Sequence, residues 1–235
     1  MKIAIMQPYF LPYIGYFQLV NAVDEFVVYD NIEYTKKGWI NRNRILVNGT
    51  ERYISLPLKK ASDFFDVRDR YLADSWIQER GRLLNRIYAV YKKAPCFKIV
   101  YPLIEKIILH EDKNLFRFII NSLYIVNSYL QIYTPMTISS TLNINHELKA
   151  QKKVIQICKT MNAKNYINPI GGLSLYKNKD FLEEGLSLFF INSNNIVYQQ
   201  YDNDFVPNLS IIDVMMFNDV ESIKIMLDEY KLITN

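Results

Sequence analysis

Two cysteines and two histidines are scant material for a disulfide framework or a metal centre in a chain of 235 residues. Cys96 and Cys158 are too few to staple a fold, and neither stands at metal-ligand spacing from His110 or His146. No metal site is expected, and a reducing cytoplasm is the expected compartment. Long apolar runs are missing as well. No stretch reaches the ~20 apolar residues of a membrane helix, and the N-terminal apolar run stops at Gln7-Pro8, too short for a signal peptide, so membrane insertion is not expected. Charge of one sign is also lacking. A formal charge of +4 is small for this length, so composition does not demand a nucleic-acid partner, and an anionic small molecule fits as well. Repeats, low-complexity tracts and disordered linkers are absent.

What remains is 50% hydrophobic, enough to bury a full core. The chain is organised around its first thirty residues. Residues 2–6 form an apolar run of buried-strand length. Pro8 and Pro12 forbid helix in the aromatic loop between them, because each removes an N–H and extends its predecessor. From about Gly15, Tyr16, Leu19, Val20 and Val23 recur at helical spacing, and residues 25–29 read as a second strand ending at Asp30. This is a strand–helix–strand half-unit. In open α/β sheets the carboxyl ends of parallel strands meet loops at a crevice, which predicts that the loop after strand one and Asp30 line one site.

The polar loop 31–43 gathers Lys36, Lys37, Arg42 and Arg44 around Gly38 and Trp39. Such a loop can grip phosphate, or it can be a solvated basic surface with Trp39 as packing anchor. Its position directly after Asp30 favours the first. A hairpin follows, turned at Asn48-Gly49. Residues 61 to about 135 change character: helical periodicity over 74–91, 96–109 and 115–129 predicts a helical lobe inserted into a single α/β domain, its many aromatics serving as core. After Pro135 element types alternate again. Strands are predicted over 136–142, 165–168, 186–191 and 196–201, and helices over 146–161, 178–184, 210–217 and 220–232. Pro169-Ile170-Gly171-Gly172 reads as a sharp loop, where glycine tolerates positive φ and close approach of a ligand, or simply makes a turn. The fold class is α/β, Rossmann-like, with a mostly parallel sheet.

The strand, polar loop and Gly-containing helix start resemble the nucleotidylyltransferases of the HIGH-motif superfamily. That resemblance implies a phosphate-facing loop, yet Tyr13-Ile14-Gly15-Tyr16 stands where two histidines would flank the glycine, and tyrosines supply no imidazolium charge. MQPYFLPYIGYFQL, GWINRNRI, YINPIGGLSLY and PNLSIIDVMMFN together resemble the WbqC-like protein family over essentially the whole chain. The resemblance implies cytoplasmic assembly of an unusual sugar on a nucleotide carrier, in the setting of O-antigen and other surface polysaccharides.

The residues suit such a substrate. Lys36, Lys37, Arg42, Arg44 and the Gly15 helix start could hold a diphosphate. Gln7, Tyr9, Tyr13, Tyr16, Trp39, Asn41, Asn168 and Tyr176 could meet a sugar's hydroxyls and flat faces, with Gly171 and Gly172 beside them. The expected reaction is transfer of an acyl or aminoacyl group to the amine of a nucleotide-linked amino sugar. Asp30 would accept the amine proton, and Gln7 or loop amides would stabilise the oxyanion. His146 is a weaker base, since a lone histidine near a helix start is more often surface or cap. No cofactor is specified, and nucleic acid enters only as a carrier of the donor. The alternatives are a nucleotidylyltransferase working with tyrosines and a noncatalytic nucleotide-sugar carrier.

Overall fold

The computed structural model describes residues 1–62, 64–202 and 204–234. Strand β1 (Lys2–Met6) leads through helix α1 (Ile14–Asn21) to the parallel strand β2 (Glu25–Val28). β1 sends Ile3 and Ile5 into one apolar cluster and Ala4 into the other, so both faces of the strand are covered. That is why its sequence is continuously apolar and does not alternate. The hairpin of β3 (Arg42–Val47) and β4 (Thr50–Ser55) stands apart as its own two-stranded sheet. Its turn uses Asn48 at φ 50° and Gly49 at φ 72°, both left-handed, as an Asn-Gly turn of this type requires.

Helices α2 (Trp76–Tyr91), α3 (Phe97–Ile108) and α4 (Leu115–Leu130) follow. Their buried stripes, among them Ile87, Ile104 and Phe118, belong to the same apolar cluster as Phe17 of α1 and Phe26 of β2. β5 (Met136–Ile138) runs into a 3-10 turn at Ser139–Thr141, and α5 (Ala150–Thr160) leads to β6 (Asn165–Pro169). A 3-10 segment at Ile170–Leu175, then α6 (Asn178–Glu183), β7 (Ser187–Ser193), α7 (Ile211–Phe217), α8 (Val220–Leu227) and β8 (Tyr230–Ile233) complete the chain. The six-stranded sheet has the order β5-β2-β1-β6-β7-β8, parallel except for the last pair. Helices α5 and α6 cover one face through Val154, Ile157 and Phe181, and the remaining helices cover the other. Among the described residues no helix is long and apolar enough to cross a membrane.

Four expected elements differ. The strand expected over 136–142 stops at Ile138, where the 3-10 turn begins. Residues 196–201 form no strand. Their order comes from side chains, because Tyr198 and Gln200 each donate to Asp213 Oδ2 at 2.7 Å. The last strand comes instead from the C-terminus, expected as helix. Gln18 of α1 donates to the Met226 and Glu229 carbonyls at 2.7 and 3.0 Å, which satisfies the end of α8 and releases the chain to pair with β7. Helix α5 begins at Ala150, four positions later than the expected residue 146, leaving His146 in the preceding loop.

Asp213 is fully buried and accepts from Tyr91, Tyr198 and Gln200 with no cation among those partners. Burial raises its carboxyl above the ordinary 3.8, while the three donors pull the other way. The folded state therefore binds that proton more tightly than the unfolded chain does. The group's stabilising contribution is complete below the unfolded value and is lost as pH rises through the folded one. Asp213→Asn cannot titrate. Urea unfolding should show the wild type gaining on this variant as pH falls from 7 to 4, and a difference that stays constant with pH would contradict the assignment.

Candidate functional site at the strand ends

After β1 and β2 the chain continues outward to β5, and after α5 it returns on the other side of β1 to form β6. Loops therefore diverge at the carboxyl ends of β1 and β6, the place where open α/β sheets leave a crevice. A cleft of about 850 Å³ lies there, lined by Met6 and Gln7 at the end of β1, Tyr29 and Asn31 after β2, Asn168 and Pro169 at the end of β6, and Gly171 and Gly172 beyond it. The start of α5 and the segment holding Asp66 and Arg68 form its other walls. Its volume is that of a small-molecule site.

The wall at the strand ends is polar but uncharged. The Gln7 side chain lines the cleft with no hydrogen-bond partner among the described residues, and Tyr16 donates to the Gln7 carbonyl at 3.0 Å, fixing the backbone beneath it. Burial pushes the Tyr9 and Tyr29 phenols up to about 12, so both stay neutral and can donate or accept. Tyr166 donates to Asn168 Oδ1 at 2.9 Å, its oxygen lies 3.3 Å from the Tyr176 hydroxyl, and Asn168 donates to the Pro169 carbonyl at 3.1 Å. Asn168 thus braces the wall. Gly172 is where it is because a Cβ there would stand 1.9 Å from Asn168 Nδ2. Neither Gly171 nor Gly172 has a positive φ: among the described glycines that conformation belongs to Gly49 and Gly185. Gly171 faces open space, so of the pair only Gly172 is required by close packing.

The rest of the lining holds the charged groups, the three cations Lys149, Lys153 and Arg68 against the two carboxyl groups of Glu33 and Asp66. Helix α5 begins with no side-chain cap and no acidic residue in its first turn, and Lys149, Ala150, Gln151 and Lys153 line the cleft. Its N–H groups and dipole favour an anion there. Arg68 Nε lies 3.5 Å from Asp66 Oδ2. Desolvation raises the Asp66 carboxyl, against the pull of Arg68. Lys153 is only 3% exposed, and desolvation lowers its amine, opposed by Asp66 and Asp30. Ala150 holds φ 49°, an unfavourable backbone for a residue with a Cβ, where the chain turns into the helix.

Asp30 has a different task from the base role expected of it. It is 2% exposed, lies outside the cleft lining, and its oxygens accept from Ser139 Oγ at 2.8 Å, Ser140 N at 2.9 Å and Ser140 Oγ at 2.7 Å. A carboxylate so engaged ties the end of β2 to the turn after β5. His146 does line the cleft, but its Nδ1 is 2.9 Å from Asn31 Nδ2 and its Nε2 is 3.0 Å from the Leu142 carbonyl. Since the amide N–H donates and the carbonyl accepts, the ring is the Nε2–H tautomer with both nitrogens occupied.

The expected phosphate grip lies elsewhere. Trp39 stacks on Tyr53 of the hairpin, Arg42 lies over both rings, and Arg44 lies over Trp39 while pairing with Glu51. Arg42 also donates to the Lys37 and Gly38 carbonyls. Asn41 accepts from Tyr34 and donates to the Leu56 carbonyl, and Lys36 is exposed. None of these residues lines the cleft. The start of α1 is closed as well: the Tyr13 ring lies across Gly15, where a Cβ would meet it at 2.4 Å, and Tyr13 lines a separate small pocket. Tyr16 is buried, and its hydroxyl is spent on Gln7. Among the described residues no cluster of His, Cys, Asp and Glu could hold a metal ion.

Fold and cleft together define a Rossmann-like α/β protein with a cleft of small-molecule size at the carboxyl ends of its parallel strands. The chain belongs to the WbqC-like protein family, whose sequence model matches residues 7–225. It is 29% identical over 226 residues to the uncharacterized protein Rv1507c of Mycobacterium tuberculosis strain H37Rv, covering 92% of this chain and 93% of that protein. No solved structure matches the chain.

Proposed function

We propose that the protein is a cytoplasmic transferase that attaches an acyl or aminoacyl group to the amine of a nucleotide-linked amino sugar. The observation that carries this reading is the division of one cleft into a charged wall, with three cations to two carboxyl groups, and a neutral polar wall. A diphosphate suits the start of α5 with Lys149 and Arg68, and a sugar suits the amide and phenol groups of Gln7, Tyr9, Tyr29 and Tyr176. Gln7, with its side-chain amide unspent, is the donor for the oxyanion of the transfer. The setting that the family resemblance implies, a sugar modified on its nucleotide carrier, agrees with that division. Nucleotidyl transfer at the Tyr13–Tyr16 stretch has less support, because the Tyr13 ring closes the helix start against phosphate.

Calorimetric titration with UDP-glucosamine tests the placement. Arg68→Ala should weaken binding about ten- to a hundredfold, the ~1.5–3 kcal/mol of a charge-assisted hydrogen bond. Arg42→Ala and Arg44→Ala should leave affinity unchanged, since both side chains serve the hairpin. The reverse pattern would move the site to the hairpin face. Binding without turnover, whatever activated acyl donor is supplied, would make the protein a nucleotide-sugar carrier.

A further inference from the structure

We propose that Lys153 is the catalytic base of the transfer, its amine on the cleft wall accepting the proton that the sugar's amine sheds. This rests on the nucleotide-sugar reading of the same cleft. Lys153 occupies the buried stripe of α5 with Val154 and Ile157, a place where a lysine kept for its stem would turn its amine outward to water. Its amine turns inward. The Asn31 and His146 carbonyls are its acceptors, at 3.4 and 3.5 Å, the long edge of hydrogen bonding, and the Tyr29 ring lies at 5.0 Å. Among the described residues no carboxylate comes within ion-pair distance of it. The charged groups around it are Asp30 at the end of β2, already bonded to Ser139 and Ser140, and Asp66 with Arg68 on the facing segment. His146 faces it through its carbonyl and Tyr29 through its ring.

A buried ammonium lacking a close counter-ion is costly, so the neutral amine gains population. Desolvation lowers the Lys153 amine, Arg68 adds to that, and Asp66 and Asp30 oppose it. A neutral amine in a cleft is a proton acceptor, which a surface lysine at neutral pH is not. In the transfer the sugar's free amine attacks the carbonyl carbon of an activated acyl ester or thioester. As the C–N bond forms, Lys153 Nζ takes the proton from the amine nitrogen. As the C–O or C–S bond breaks, it returns that proton to the leaving oxygen or sulfur, and the lysine is neutral again.

Trace acetylation of the wild-type protein with acetic anhydride, read by peptide mass spectrometry from pH 7 to 10, tests this without a known donor. Lys153 should label several-fold faster at pH 7 than Lys149 and Lys152, with the excess closing as pH rises and all three become neutral. Saturating UDP-glucosamine should slow labelling of Lys153, and of Lys149 beside the diphosphate, while leaving Lys152, which does not line the cleft, unchanged. A lysine that is merely packed would label more slowly than its neighbours at every pH, and that result would overturn the assignment. So would an excess that saturating UDP-glucosamine does not reduce. Because the reactivity is measured in the free protein, it is separable from the affinity for UDP-glucosamine, on which the proposed function itself stands or falls.

Discussion

Gly172→Val is expected to lose nucleotide-sugar affinity by on the order of a hundredfold, or ~2.7 kcal/mol, with a smaller loss of folding stability. The cause is steric. A Cβ at position 172 would sit 1.9 Å from Asn168 Nδ2, and that amide is held between the Tyr166 hydroxyl and the Pro169 carbonyl at the end of β6. The two further methyl groups of valine can be accommodated only by pushing Asn168 toward the cleft or out of the strand end. Overpacking of this kind typically costs ~1–3 kcal/mol of stability, which a domain of this size can survive. Gly171→Ala is the control, because a Cβ there meets nothing within 4 Å. It should melt like the wild type. Parallel thermal melts and calorimetric titrations would check the pair, and a folded Gly172→Val protein that binds normally would remove this wall from the site.

Asp30→Ala is expected to cost about 2–4 kcal/mol of stability, more than any exposed substitution in the molecule. Three donors, Ser139 Oγ, Ser140 N and Ser140 Oγ, converge on this carboxylate. Ser139 has a second acceptor in Asn31 Oδ1 at 2.6 Å, but the Ser140 amide would be stranded beside a cavity. Asp30→Asn should fall between, since one oxygen remains to accept. Denaturant unfolding measures the series. If instead Asp30→Ala melts like the wild type while transfer is abolished, Asp30 is a chemical group and not a clamp between β2 and the turn after β5.

Much of the frame was legible because it is local. Ile3 to Ile5, the stripe of α1 and the Asn48-Gly49 turn each carry their periodicity or turn chemistry within a few residues, and the structure has β1, α1, β2 and the hairpin at or within a few residues of those positions. Gln7, Tyr9, Asn168, Gly172 and Tyr176 meet in the cleft because strand ends are where the topology collects loops. Other features depended on distant partners. Whether residues 196–201 or the C-terminus would extend the sheet turned on Asp213 gathering Tyr198 and Gln200, and on Gln18 ending α8. Lys152 and Lys153 are indistinguishable as neighbours in sequence, and only the phase of α5, with Ile157 one turn on, places Lys153 inside. Asp66 and Arg68 lie in a stretch with no periodicity, brought to the cleft by the bridge between Glu33 and Asp66. The basic loop misled through adjacency. It leaves Asp30 for the hairpin, where the cations find aromatic rings and carbonyls of their own.

The most direct test of the account is native mass spectrometry of the wild-type protein against a panel of UDP- and dTDP-linked sugars, with and without a free amine on the sugar. The account predicts a one-to-one complex with an amino-bearing member, lost in Gly172→Val and Arg68→Ala and kept in Arg42→Ala. No complex with any member of the panel, or a complex that survives Gly172→Val and Arg68→Ala but vanishes in Arg42→Ala, would contradict it.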